Sequence, residues 1–308
     1  MKKLFLFVIV TLLFSQCGKE KIDITTDDDR MVPVTFELPL SQETRSYFGD
    51  LLPDGNIKWG NDNKVEYLYL SIPYKVAYHT SETGTIRLGE LNELKAEVEE
   101  PTETLIFKGE VPANNLQNAR QYHLYYLGNK GQGGEGTHVT NYYSDFQNIL
   151  IGKTISFAKQ TGDIKDLGDY HIAKIKVKAN PIKDESGVVQ SFELVADDLK
   201  NISSIAKLDL TGETTLGGTA AEIQSFTVLW NTTTKVFDDI IETVPGATID
   251  VSTNAGKNSY ISLLPYNENV FFECSKGRYE FSEGIGRNQL YIGSYSDDIE
   301  KARPLQWE

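Results

Sequence analysis

Hydrophobic and polar positions alternate along most of this chain, and the dominant period is two. Residues 32–38 place Val32, Val34, Phe36 and Leu38 on one face and Pro33, Thr35 and Glu37 on the other, the pattern of a half-buried strand. Pro33 has no N–H to give to a ladder, which predicts an edge strand or one with a free side. Residues 173–179 alternate more cleanly, with Ala173, Ile175, Val177 and Ala179 set against Lys174, Lys176 and Lys178. One face there is core and the other is wet. Further strands are predicted over 65–72, 105–108, 122–127, 192–196, 205–210, 226–230, 260–264, 270–274 and 290–292, with Gly, Asn, Asp and Ser clustered between them. Helical periodicity is weak; its best case is 90–99, where Leu91, Leu94 and Val98 have helical spacing.

Many short strands without a βαβ rhythm predict an all-β chain built of antiparallel β-sandwiches. The polar stretch 180–187, with Pro181 and Gly187, divides the strand-rich part into two comparable lengths. It therefore predicts an N-terminal domain over 32–183 and a C-terminal domain over 184–308, consistent with roughly 100–200 residues per domain.

The first residues follow a different pattern. Lys2 and Lys3 precede an apolar run over 4–14, and Ser15, Gln16 and Cys17 follow it, the three parts of a secretory signal. The run is too short to span a bilayer, which takes about 20 residues. The stretch LLFSQC, ending at Cys17, resembles the lipobox of bacterial lipoprotein signals, with Gln16 where a small residue is usual. Cys17 is thus the expected lipid attachment point, and the alternative is the end of an ordinary signal peptide. Residues 1–16 would be removed, and 17–31, which end in three aspartates and Arg30, would form a solvated tether.

The chain of 308 residues carries a net charge of −14, and losing Lys2 and Lys3 with the signal makes it −16. That sign repels nucleic acid and anionic headgroups, so membrane residence would come from the lipid. After Cys17 only Cys274 remains, which leaves no intrachain disulfide in the mature body, and its strand-like neighbourhood suggests a buried, inert thiol. No GxSxG, HExxH or P-loop is present, and His79, His123, His138 and His171 are scattered without zinc-ligand spacing. The sequence therefore predicts neither an enzyme nor a cofactor or metal site.

Tyr122, Tyr125, Tyr126, Tyr142 and Tyr143 flank the glycine-rich stretch 131–136. They would either form an aromatic surface for sugar rings or a protein partner or pack a sandwich as ordinary strand residues.

Several segments in order resemble the fimbrillin-like lipoproteins of Bacteroidetes, pilus subunits and associated adhesins. They are the signal with Cys17, VPVTFEL at 32–38, TRSYFGD at 44–50, IKWGNDNKV at 57–65, YISLLP at 260–265 and FSEGIGRNQLYI at 281–292. The resemblance implies two tandem transthyretin-like β-sandwich domains and a subunit exported to the outer membrane on its lipid, with other fimbrial subunits as partners. It also implies proteolysis after an arginine that follows the first strand, here Arg45, and filling of the vacated groove by a neighbour's strand. Arg45 read by itself is equally a surface loop residue, and Arg30 is a second possible cut. Residues 299–308 would be the donor, although Pro304, Glu300, Lys301 and Arg303 make a poor central strand. A structural or adhesive role, as shaft, accessory or anchor, is the leading expectation. A surface glycan-binding lipoprotein for nutrient uptake, resting on the tyrosines, is the alternative.

Overall fold

Alternation becomes strand along nearly the whole described chain. A computed structural model describes residues 30–39, 50–51, 57–58, 65–80, 84–99, 102, 104–114, 116, 121–128, 140–141, 152–231, 233–251, 256 and 258–293. The first half holds β1 (Met31–Pro39), β2 (Asp50–Leu51), β3 (Ile57–Lys58), β4 (Val65–Thr80), β5 (Gly84–Glu97), β6 (Thr104–Pro112), β7 (Gln121–Leu127), β8 (Thr140–Asn141) and β9 (Gly152–Ser156). A 3-10 helix (Ile164–Tyr170) leads into β10 (Ile172–Lys183), β11 (Val189–Asn201), β12 (Ser204–Leu208), β13 (Thr215–Leu216), β14 (Ile223–Asn231) and β15 (Val236–Thr243). The chain continues through β16 (Ile249–Asp250), β17 (Ser259–Leu263), β18 (Val270–Cys274), β19 (Gly277–Phe281) and β20 (Leu290–Ile292). The protein is all-β, as its alternation predicts.

Seven strands close on themselves in the order β1-β11-β10-β7-β4-β5-β6. Their inward residues form one core, with Val34, Phe36, Leu68, Leu70, Phe107, Leu124, Ile175 and Val177 almost wholly buried. The closure is uneven. β1 and β6 pair over their full lengths, whereas β4 meets β7 at three pairs and β5 meets β6 at Lys95 and Lys108 alone. Among the described strands two ladders are parallel, β1 with β11 and β12 with β20, so the sheets are not purely antiparallel.

Residues 90–99 correct the helical reading. They lie mostly in β5, where Asn92, Leu94, Ala96 and Val98 are buried while Glu93, Lys95, Glu97 and Glu99 are exposed. Leu94 and Val98 fit periods of 3.6 and 2 alike, Leu91 falls on the opposite face against the second core, and pairing with β4 along nearly the whole strand decides for 2. β1 is no edge strand either, since β6 and β11 flank it; Pro33 sits just outside the short β1–β11 ladder, which covers residues 34–36.

The polar stretch 180–187 is the end of β10 and the turn that leads into β11, not a linker. Lys183 pairs with Val189, and the Asp184 carboxylate accepts the N–H groups of Ser186 and Val188 across the turn. Polar, Pro- and Gly-containing composition marks hairpin tips as well as linkers, because both are solvated backbone.

The second core is not a simple continuation of the first. It packs Ile155, Phe157, Phe226, Val228, Ile261, Leu263 and Phe272 together with Tyr69, Tyr125 and Leu127 from the closed sheet. β9 precedes β10 in sequence yet pairs with β14. Residues on both sides of position 184 therefore contribute to both cores. β5 and β14 approach so closely that a Cβ on Gly89 would lie 2.4 Å from Cε3 of Trp230, and Trp230 packs on Phe237 at 5.2 Å between ring centroids.

Candidate functional site

The strand expected to be exchangeable is β1, and its seat can be built from its residues. Val32, Val34, Phe36 and Leu38 are 2%, 0%, 1% and 3% exposed. Burying each such side chain is worth about 1.5–3 kcal/mol. On one flank β1 runs antiparallel to β6 from Met31 opposite Pro112 to Pro39 opposite Thr104. On the other it runs parallel to β11, pairing Val34, Thr35 and Phe36 with Phe192, Glu193 and Leu194. Gly109, opposite Val34, keeps this wall tight: a Cβ there would lie 2.9 Å from the Glu93 carbonyl oxygen.

Arg30 pins the start of the strand on both flanks. Its carbonyl accepts the Ala113 N–H at 2.9 Å, and its Nη2 donates to the Val189 carbonyl at 2.7 Å. Loss of β1 would therefore expose unpaired N–H and C=O groups on β6 and β11 together with an apolar slot. Only another extended strand repairs both at once. The two candidate arginines differ in consequence. A cut after Arg30 leaves β1 joined to the rest of the chain, whereas a cut after Arg45 leaves it held by non-covalent contacts alone.

Cys17, Arg45, Tyr142 and Tyr143 lie outside the described residues, as does the glycine-rich stretch 131–136. The other tyrosines correct the surface reading. Tyr122, Tyr125 and Tyr126 are 2%, 1% and 1% exposed. Tyr122 and Tyr126 point into the first core with Leu124, and Tyr126 Oη donates to Glu66 Oε2 at 3.0 Å. Tyr125 faces the second core, beneath Lys174 Nζ at 5.1 Å from its ring centroid. Burial, then the carboxylate of Asp239, pushes its phenol above the ordinary range. These strand tyrosines pack the interior.

The structure brings together polar groups that no motif marks. His171 is buried, and its Nδ1 lies 3.2 Å from Ser203 Oγ, which also accepts the Ile172 N–H at 3.0 Å. Burial lowers the imidazole pKa to about 3. This cluster fastens the start of β10 to the crossing from β11 to β12. Glu66 did have a signal: it shares even numbering with Leu68, Leu70 and Ile72, which places it on the core face. Cys274 is half-buried at the end of β18, opposite Gly277. Among the described residues no three His, Cys, Asp or Glu side chains group as a metal cage.

No family model matches the chain, and no curated protein matches it. Among solved structures, a fimbrial assembly protein from Parabacteroides distasonis aligns over 85% of this chain and 89% of its own, with 7% identity and a TM-score of 0.31. At that score the likeness carries no argument about fold or function.

Proposed function

We propose that this chain is an outer-membrane lipoprotein subunit of a fimbria-like assembly, with β1 as its exchangeable strand. The observation that carries the reading is the seat of β1, a slot for four apolar side chains flanked by two different strands. A lipoprotein-like signal ending at Cys17 supports export to the cell surface, and Arg45 stands in the segment that joins β1 to the remainder. Partners are other subunits of the same kind, and no cofactor or catalysis is involved.

Two measurements test this. The N-terminal residue of protein recovered from the cell surface is expected to be acylated Cys17 in an anchor and Ser46 in a polymerising subunit. Purified protein cut after Arg45 is expected to form ladders that survive SDS, whereas a cleaved protein that stays strictly monomeric overturns strand exchange. Glycan binding loses most of its basis, because three of its five tyrosines are buried.

A further inference from the structure

The closed sheet has a weak seam, and β6 forms one side of it. Toward β1, β6 is paired at every position from Pro112 opposite Met31 to Thr104 opposite Pro39. Toward β5, the strand before it in the chain, the described residues pair only at Lys95 and Lys108. On one side of that pair the backbones stay close: a Cβ on Gly109 would lie 3.5 Å from Cα of Leu94, the residue opposite it in this register. On the other side the strands part around a cavity whose lining includes Glu97 and Ile106 together with Val98 and Leu105. The last two are buried side chains of the first core, so the parting reaches from the surface to the interior.

The outward rows of the two strands account for this. β5 presents Glu93, Lys95 and Glu97 to solvent, and β6 presents Ile106, Lys108 and Glu110. The register set by Lys95 and Lys108 also places Glu93 opposite Glu110 and Glu97 opposite Ile106. Two successive outward positions therefore bring like charges face to face, which weakens a strand pair. Lys95 bonds instead along its own strand, to Glu97 at 2.9 Å. On the other flank the same β6 residues meet Glu37, Thr35 and Pro33 of β1, and no like charges oppose one another there. The charge order on β6 thus weakens its β5 flank and spares its β1 flank. Exchanging Lys108 with Glu110 would make both seam positions complementary at unchanged composition.

We infer that the β5–β6 seam is the joint at which the closed sheet opens, β6 parting from β5 while it stays clasped to β1, with the like-charged pairs keeping the joint weak. The joint does not depend on whether β1 is exchanged. Thiol labelling of the full mature chain under native conditions tests it, counted site by site so that Cys274 is read separately. Val98→Cys places the probe at the parted end of the seam. Val177→Cys places a control in the same core on β10, between long ladders to β7 and β11. Val98→Cys is expected to react about tenfold faster than Val177→Cys or more, as local opening does relative to opening of the whole core, and to slow as added salt screens the like charges. Adding Lys108→Glu together with Glu110→Lys is expected to slow labelling at Val98→Cys by about fivefold or more, to remove its slowing by salt, and to leave Val177→Cys unchanged. Equal rates at the two sites overturn the proposal. So does a rate at Val98→Cys that the charge exchange leaves as it was, because the site is then reached without opening the seam, and so does an equal slowing at both sites, because the charges then act on the whole fold.

Discussion

Arg30 Nη2 donates to the carbonyl of Val189 at 2.7 Å, tying the residue before β1 to the first residue of β11. The contact closes the end of the strand's seat where the β1–β11 ladder is missing. Because the bond is exposed, Arg30→Ala is expected to lower stability by only about 0.5–1.5 kcal/mol, read as a shift in the urea midpoint with an unchanged slope.

The position of the cut should matter more than its occurrence. A synthetic peptide of residues 31–39 is expected to enter protein cleaved after Arg45 and not protein cleaved after Arg30, where the resident strand is still tethered at high effective concentration. Tagged-peptide capture under SDS reads this directly. Equal uptake by both forms would show that β1 leaves its seat without proteolysis.

Phe36 is 1% exposed at the centre of the seat, whereas Glu37 beside it faces solvent. Phe36→Ala is expected to cost about 3–5 kcal/mol by emptying a packed site, and Glu37→Ala less than about 0.5 kcal/mol. Equal losses in denaturant unfolding would contradict the inward register of β1.

His171 makes stability depend on pH. Its imidazole titrates near 3 in the folded chain because of burial, and His123 near 4, by burial first and the neighbouring Lys174 second. The unfolded chain binds these protons near 6.5. As pH falls below about 6.5 the unfolded state takes up protons that the native state refuses, so stability is lost progressively, down to about 4 for His123 and about 3 for His171. His171→Gln is expected to flatten this acid limb in thermal melts taken between those values. Ser203→Ala is expected to cost about 1–3 kcal/mol at neutral pH, since the Ile172 N–H loses a buried acceptor.

Gly89→Ala should disturb the contact between β5 and the β14–β15 pair. The added methyl would meet the Trp230 ring and Phe237 Cε2, at 2.8 Å from the latter, and overpacking of this kind costs about 1–3 kcal/mol. Tryptophan fluorescence and near-ultraviolet circular dichroism should report a shifted Trp230 environment without loss of strand content.

Much of the fold was legible because single strands advertise themselves. Residues 270–274 and 290–292 became β18 and β20 with their expected bounds, and Lys174, Lys176 and Lys178 alternate with buried Ala173, Ile175 and Val177. Pairing was not legible, since alternation says which face is buried and not which strand lies alongside. That is why Pro33 suggested an edge in a strand with two neighbours, and why the hairpin tip at Asp184 resembled a linker. Tyr125 shows a related limit. Its place on the outer face of the closed sheet follows from the period, but only packing into the second core makes it buried. Residues such as β5's Leu94 satisfied two periods together, and a long-range partner decided between them.

The parallel pairing of β1 with β11 has a consequence for the order in which this chain takes shape. β6 is available to β1 after about 80 residues, but the tie from Arg30 to Val189 spans 159. As the chain emerges in sequence order, β1 therefore waits half-clasped, bonded on its β6 flank while its other flank still lacks β11. Closing that flank late carries the entropy of a long loop, and anything that offers a strand in that interval competes with the chain's own completion.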